Sequence, residues 1–150
     1  MLALLLAAAT PAFDPLRFFA GATEGRGRLA IVFHRARGVR VHGAGRVEPD
    51  GTLVLDQRVE QEGRPATTRA WRIRAVAPGR YAGTLTDATG PVTGEADGPR
   101  LHLRFRAAHG IRVDQWLLLA PDGRSAQNRL TARKFGLVVA RLDERISRVD

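Results

Sequence analysis

From Leu29 to Leu142 this chain is built of short alternating runs, and no stretch sustains a helical period beyond a few residues. Leu29, Ile31 and Phe33 alternate with smaller or polar neighbours, and Val39, Val41 and Val47 carry the pattern across Gly43 and Gly45. Turn chemistry recurs at Pro49-Asp50-Gly51, Ala77-Pro78-Gly79, Gly90-Pro91, Asp97-Gly98-Pro99 and Pro121-Asp122-Gly123. Between those turns lie Leu53/Leu55, Trp71/Ile73, Tyr81/Leu85, Leu101/Leu103/Phe105 and Val113 to Leu119, then runs near Gln127 to Lys134 and Leu137 to Leu142. Period two between such turns predicts an all-β meander of about 8–10 strands. The lack of an amphipathic crossover helix argues against a βαβ fold. Sequential pairing of so many strands favours a single antiparallel up-and-down β-barrel, because closure removes exposed edges. Gly43 and Gly45 suit a sharp bend at a barrel corner.

A short helix is expected to open the domain. Asp14 is a good N-cap, Pro15 suits the first helical position, and Leu16, Phe19 and Ala20 can share a face before Gly21. Its expected role is to plug or cover one end of the barrel. Before it, residues 1–12 form an apolar tail that resembles the hydrophobic part of a secretory signal. That stretch is shorter than the roughly 20 residues a bilayer span needs. The expected organisation is a signal or apolar tail over 1–12 and one barrel domain over 13–150, with a periplasmic or envelope location, or a cytoplasmic one if the tail is not a signal.

The chain has 150 residues and no cysteine. That length supports one core without staples, and the composition removes disulfides, thiolate metal sites and a cysteine nucleophile. The net charge is +9, almost wholly from arginine, Lys134 being the sole lysine. The arginines are dispersed, which favours a solvated basic surface with weak attraction to anionic membranes over specific nucleic-acid binding. Pairs at Arg35/Arg37, Arg72/Arg74 and Arg104/Arg106 show period two and are expected on the outer face. His34, His42, His102 and His109 lack metal-ligand spacing, Ser125 and Ser147 lack a nucleophile context, and no glycine-rich loop opens a helix. No metal and no cofactor is expected.

Some polar residues share parity with apolar ones. Asp87 runs with Tyr81 and Leu85, Asp114 with Trp116 and Leu118, and Asn128 with Leu130. If those faces are interior, the polar atoms need partners, for which Arg69, Arg129, Arg133 and Lys134 are available. The turn at Pro121-Asp122-Gly123 makes two strands neighbours, so Asp114 is expected to pair with a cation from the Asn128–Lys134 block. Trp71, Tyr81, Phe105, Trp116 and Phe135 would supply apolar wall. The leading reading is non-catalytic binding of a small apolar ligand, a fatty acid or other lipid, by a monomer. An acyl-substrate isomerase or cyclase using Asp87 or Asp114 as base, and a purely structural envelope protein, are the alternatives.

Several runs carry a kinship. Phe18-Phe19-Ala20-Gly21, Arg69-Ala70-Trp71-Arg72, Gly79 to Gly83 with Asp87 and Gly90, Asp114 to Leu118, Asn128-Arg129, and Arg133-Lys134-Phe135-Gly136 resemble the domain-of-unknown-function 3833 family over nearly all of residues 13–148. The resemblance implies a lipocalin-like barrel, often exported or lipid-anchored in bacteria and often encoded near fatty-acyl-modifying enzymes. The family usually reads Asp-Trp-Met-Tyr-Leu where this chain reads Asp114-Gln115-Trp116-Leu117-Leu118. A ring displaced by one place falls on the opposite face of the strand.

Overall fold

A computed structural model describes residues 11–149. The expected signal or tail therefore falls almost entirely outside the described residues. Helix α1 spans Pro15–Phe18, and Asp14 caps it by accepting from the Leu16 amide at 3.0 Å. Ten strands follow: β1 Gly21–Ile31, β2 Arg37–Val47, β3 Leu53–Gln61, β4 Thr67–Ala77, β5 Arg80–Leu85, β6 Val92–Asp97, β7 Arg100–Ala107, β8 Ile111–Leu119, β9 Ser125–Lys134 and β10 Leu137–Arg148. Each pairs antiparallel with its neighbour in sequence, and β1 pairs β10 to close the barrel. The expected all-β up-and-down barrel with a short N-terminal helix is what the chain forms.

Alternation sets the two faces. Odd residues point inward on β1 to β5, β7 and β8, and even residues on β6, β9 and β10, as the burial of Val41, Leu55, Trp71, Val92, Leu103, Leu117, Ala126 and Ile146 shows. The ends of the barrel differ. At one end Phe13, Phe18 and Phe19 enter between the strands and join Leu53, Leu55, Ile73, Leu101 and Leu119 in the main core. Phe13 packs on Phe18 at 5.3 Å, and Phe19 meets Phe18 edge-on at 4.9 Å. Each such ring is worth roughly 1.5–3 kcal/mol of burial. The other end has a smaller cluster of Val39, Val41 and Val59, with Leu29 and Leu142 packed against it.

Two expectations change. First, β1 begins at Gly21, well before Leu29. Its first half alternates charged and small residues, so it carries no apolar signal although it is a full strand. Second, the alternation through Leu29 and Ile31 does not continue to Phe33. The strand stops at Ile31, and Phe33 occupies the β1–β2 turn, fully exposed. Inward glycines also make room for neighbouring groups. A Cβ at Gly45 would collide with the Phe19 carbonyl, so Gly45 makes way for α1. Within α1, Pro15 and Phe18 are buried and Leu16 is only partly buried.

Candidate functional site

Between the aromatic plug and the valine cluster the barrel interior turns polar. Gln57 on β3 faces Arg69 on β4, and Asn128 on β9 faces Glu144 on β10. Gln115 enters from β8, with Leu117 and Val113 on the same face. The Gln57 Oε1 accepts from the Arg69 Nε at 2.7 Å and from the Trp71 Nε1 at 2.8 Å. The Asn128 Nδ2 donates to the Glu144 Oε1 at 2.9 Å. Three buried acceptors in this layer are left without a protein partner: Gln115 Oε1, Asn128 Oδ1 and Glu144 Oε2. An unsatisfied buried polar group costs about 1–3 kcal/mol, so such a cluster calls for a partner.

Electrostatics at this layer are set by burial. Desolvation pushes the Glu144 carboxyl above the ordinary glutamate range, against the smaller opposing pulls of the Asn128 hydrogen bond and the Arg69 charge. Desolvation also lowers Arg69, while Glu144 and Asp87 support its charge. Arg69 is partly exposed as a residue, yet its guanidinium lies within the wall. Glu144 fits because Gly25, two residues along β1 from its register partner Gly27, leaves the space; a Cβ there would occupy the place of the carboxylate.

Below the layer, toward α1, lies a small cavity of about 40 Å³. Its polar rim is Gln57, Arg69, Gln115 and Glu144, and its apolar walls include Trp71, Leu103 and Leu117, with Pro15 and Phe19 beneath. That volume holds a few waters or a short group. Gln57 and Arg69 also line a hollow of about 630 Å³ on the outside, together with His42, Thr86 and Asp87. The β4–β5 ladder explains this double exposure. It runs from Ala77↔Arg80 to Trp71↔Leu85 and ends on the bonds between Ala70 and Thr86, so β4 beyond Ala70 has no partner on this side, and the side of the barrel opens at Arg69.

The structure divides the residues singled out from sequence. Trp71 and Asn128 are buried inside, and Tyr81 and Phe105 are partly buried against the main core, Phe105 edge-on to Trp71 at 5.8 Å. Asp87 is exposed beyond the end of β5, near enough to support Arg69. Asp114, Trp116, Arg129 and Arg133 point outward. On β8 the inner residues are Val113, Gln115, Leu117 and Leu119, so the parity of Asp114 with Trp116 belongs to the solvent side. The run of three leucines at 117–119 makes both parities look apolar, which is why sequence does not choose between them. The outer position of Trp116 agrees with the one-place displacement of its ring. Trp116 stacks on His102 at 3.8 Å and lies under the Arg100 guanidinium. Asp114 does meet a cation of the 128–134 block, Arg133 at 3.5 Å, and accepts a hydrogen bond from the His102 Nε2 at 2.7 Å. On the outer wall such an ion pair is worth about 1 kcal/mol or less. Lys134 and Phe135 sit at the β9–β10 turn, with Phe135 almost wholly exposed.

Sequence reasoning passed over Glu144, Gln57 and Gln115. Their signal was parity: Glu144 runs with Leu142 and Ile146, Gln115 with Val113 and Leu117, Gln57 with Leu55 and Val59. Of the arginine pairs, Arg72/Arg74 and Arg104/Arg106 are exposed on their strands, whereas Arg35 lies in the β1–β2 turn and shares no strand face with Arg37.

Residues 5–148 match the family model described as protein of unknown function (DUF3833). No curated protein matches the chain.

Proposed function

The chain belongs to the DUF3833 family, whose description assigns no activity, and we propose from its own geometry that the barrel binds an acyl lipid, a fatty acid by preference, without catalysis. The observation that carries this reading is the Arg69 guanidinium set beside two unpartnered buried acceptors, Gln115 Oε1 and Glu144 Oε2, at the rim of a cavity with apolar walls. A carboxyl head would meet the Arg69 guanidinium on one side. On the other, a proton held by Glu144 turns its free oxygen into a donor, which the raised affinity of that carboxyl for a proton favours. The first carbons of the chain would lie along Trp71, Leu103 and Leu117. The gap at Arg69 provides a side entrance. A longer tail needs the space that Phe18 and Phe19 fill, so binding is expected to loosen α1.

A catalytic reading has one specific support, the free oxygen of Glu144 facing the cavity. Asp87 and Asp114 lie outside the interior, so a base or acid would have to be Glu144.

Trp71 offers the test. The chain has two tryptophans, so Trp116→Phe leaves Trp71 as the only indole. Titration of that variant with fatty acids of increasing chain length should give a saturable change in emission, abolished by Arg69→Met. No saturable change with any fatty acid, in protein with a native circular dichroism spectrum, would refute the reading.

A further inference from the structure

The end of the barrel opposite α1 holds its own anomaly. Among the described residues, three non-glycines adopt positive φ: Phe33 at 66°, His109 at 64° and Phe135 at 52°. All three stand at turns of that end, on the β1–β2, β7–β8 and β9–β10 connections, which are consecutive around the closed barrel. Bulky side chains rarely take this conformation, and such outliers persist where they do something.

A matched turn in the same molecule shows that the backbone does not require these rings. The β1–β2 turn is closed by the His34 amide donating to the Ile31 carbonyl at 3.0 Å, and the β3–β4 turn by the Arg64 amide donating to Gln61 at 3.0 Å. Both links run through five residues between strand ends. The left-handed position is Gly63 in one and Phe33 in the other. At β9–β10, Phe135 and Gly136 both have positive φ, the two-residue hairpin in which asparagine-glycine is the usual choice. A phenylalanine therefore stands twice where a small or polar residue serves the fold better.

Those rings touch little of the protein. Phe33 is 101% exposed, Phe135 92% and Leu137 72%. The two turns adjoin, because β1 pairs β10 and the Val32 amide bonds the Val139 carbonyl at 3.0 Å. Around them the charge is positive. Arg35 stands two residues after Phe33, and Lys134 precedes Phe135 with its ammonium 5.7 Å from the ring centre. On the adjoining wall Arg106 faces Arg112, and Arg112 faces Arg133. Like charges placed opposite one another are unfavourable in water, and an anionic partner relieves them. The facing turns of the same end, by contrast, carry no net positive charge, with Glu62 beside Arg64 on one and Asp87 on the other.

We propose that this rim docks the barrel on an anionic lipid bilayer, with Phe33, Phe135 and Leu137 entering the boundary between head groups and acyl chains. The shape argues for a bilayer: the apolar groups are convex tips, which a fluid interface accepts without a matching pocket. The contact is by tips alone. The outer wall at mid-barrel carries Arg145, Arg26 and Arg40 side by side, where a membrane-spanning barrel has an apolar band. Basic residues near an anionic surface and aromatic residues at its boundary are the two elements of reversible anchoring. This inference stands apart from lipid binding inside the barrel and holds or fails without it.

The test is flotation of the full chain with vesicles of phosphatidylcholine and phosphatidylglycerol in equal parts, and with phosphatidylcholine alone, across a salt series. The parent should bind the mixed vesicles, weakly or not at all the neutral ones, and lose binding as salt rises. Phe33→Gly with Phe135→Asn should weaken binding by roughly tenfold per ring. These replacements suit the turn conformations, so the variant should melt no lower than the parent. Arg35→Gln with Lys134→Gln should weaken binding to mixed vesicles by roughly fivefold per charge. Absence of parent binding, or equal binding by the phenylalanine variant, overturns the proposal. So does ring-dependent self-association without lipid, which would make the partner a second copy. Salt-sensitive capture of an oligonucleotide that outcompetes the vesicles and survives loss of the rings would do the same in favour of nucleic acid.

Discussion

At the end of the barrel that α1 closes, three phenylalanines are buried and every turn residue with positive φ is glycine: Gly51, Gly79, Gly98 and Gly123. At the opposite end, two phenylalanines are exposed and themselves hold positive φ. The same residue type thus serves the core at one end and faces outward at the other. The first end is built for stability, since each ring there fills space and each turn is unstrained. The second gives up some of both, and the polar layer of Gln57, Arg69, Gln115, Asn128 and Glu144 lies between them. An interior with free acceptors and a rim with free rings are two departures from simple packing, the first just above the α1 plug and the second at the far rim.

The largest expected effect is at the plugged end. Phe18→Ala should cost about 3–5 kcal/mol in urea unfolding, as for other large-to-small changes in a packed core. A loss below about 1 kcal/mol would mean that α1 is no part of the core, and the contrast between the ends would vanish. Gly45→Ala should come next, lowering stability by about 1–3 kcal/mol because the new Cβ meets the Phe19 carbonyl. At the open rim the expectation changes sign or nearly so. Phe33→Gly removes backbone strain of about 1–2 kcal/mol, offset in part by the greater freedom of glycine in the unfolded chain, so its midpoint should stay level or rise slightly.

The middle layer is sharpened by pH. Burial raises the Glu144 pKa in the folded chain, so the folded form holds a proton that the unfolded form releases above about pH 4.5. The native state therefore binds more protons there, and this group's contribution declines as pH rises through that window. Glu144→Gln lacks the titration. Its melting temperature relative to the parent should increase from about pH 4 to about pH 8. A difference that stays flat with pH would place Glu144 in a solvated site.

Much of this fold was legible in the sequence because alternation and turns are local signals. Asp14 and Pro15 announced the helix, and the turns at Pro49-Asp50-Gly51 and Pro121-Asp122-Gly123 announced their hairpins. The first half of β1 was hidden, since its inward residues are small. The site was less legible for a related reason. Glu144 shares parity with Ile146, but a glutamate in a strand reads as an outward residue unless one knows that Gly25 on another strand leaves room for it. The opposite error arose on β8, where Trp116 looked like core although Gln115 is the buried residue. Phe33 looked like a strand residue because alternation does not show where pairing ends. Each of these turns on a contact across strands distant in sequence.

Binding of an acyl lipid within the barrel is tested most directly by native mass spectrometry of the full chain after gentle purification without detergent. The account predicts a bound mass that matches a single acyl lipid with a carboxyl head, recovered on extraction and lost in Arg69→Met. Repeated recovery of ligand-free protein that also fails to take up added fatty acid would contradict it.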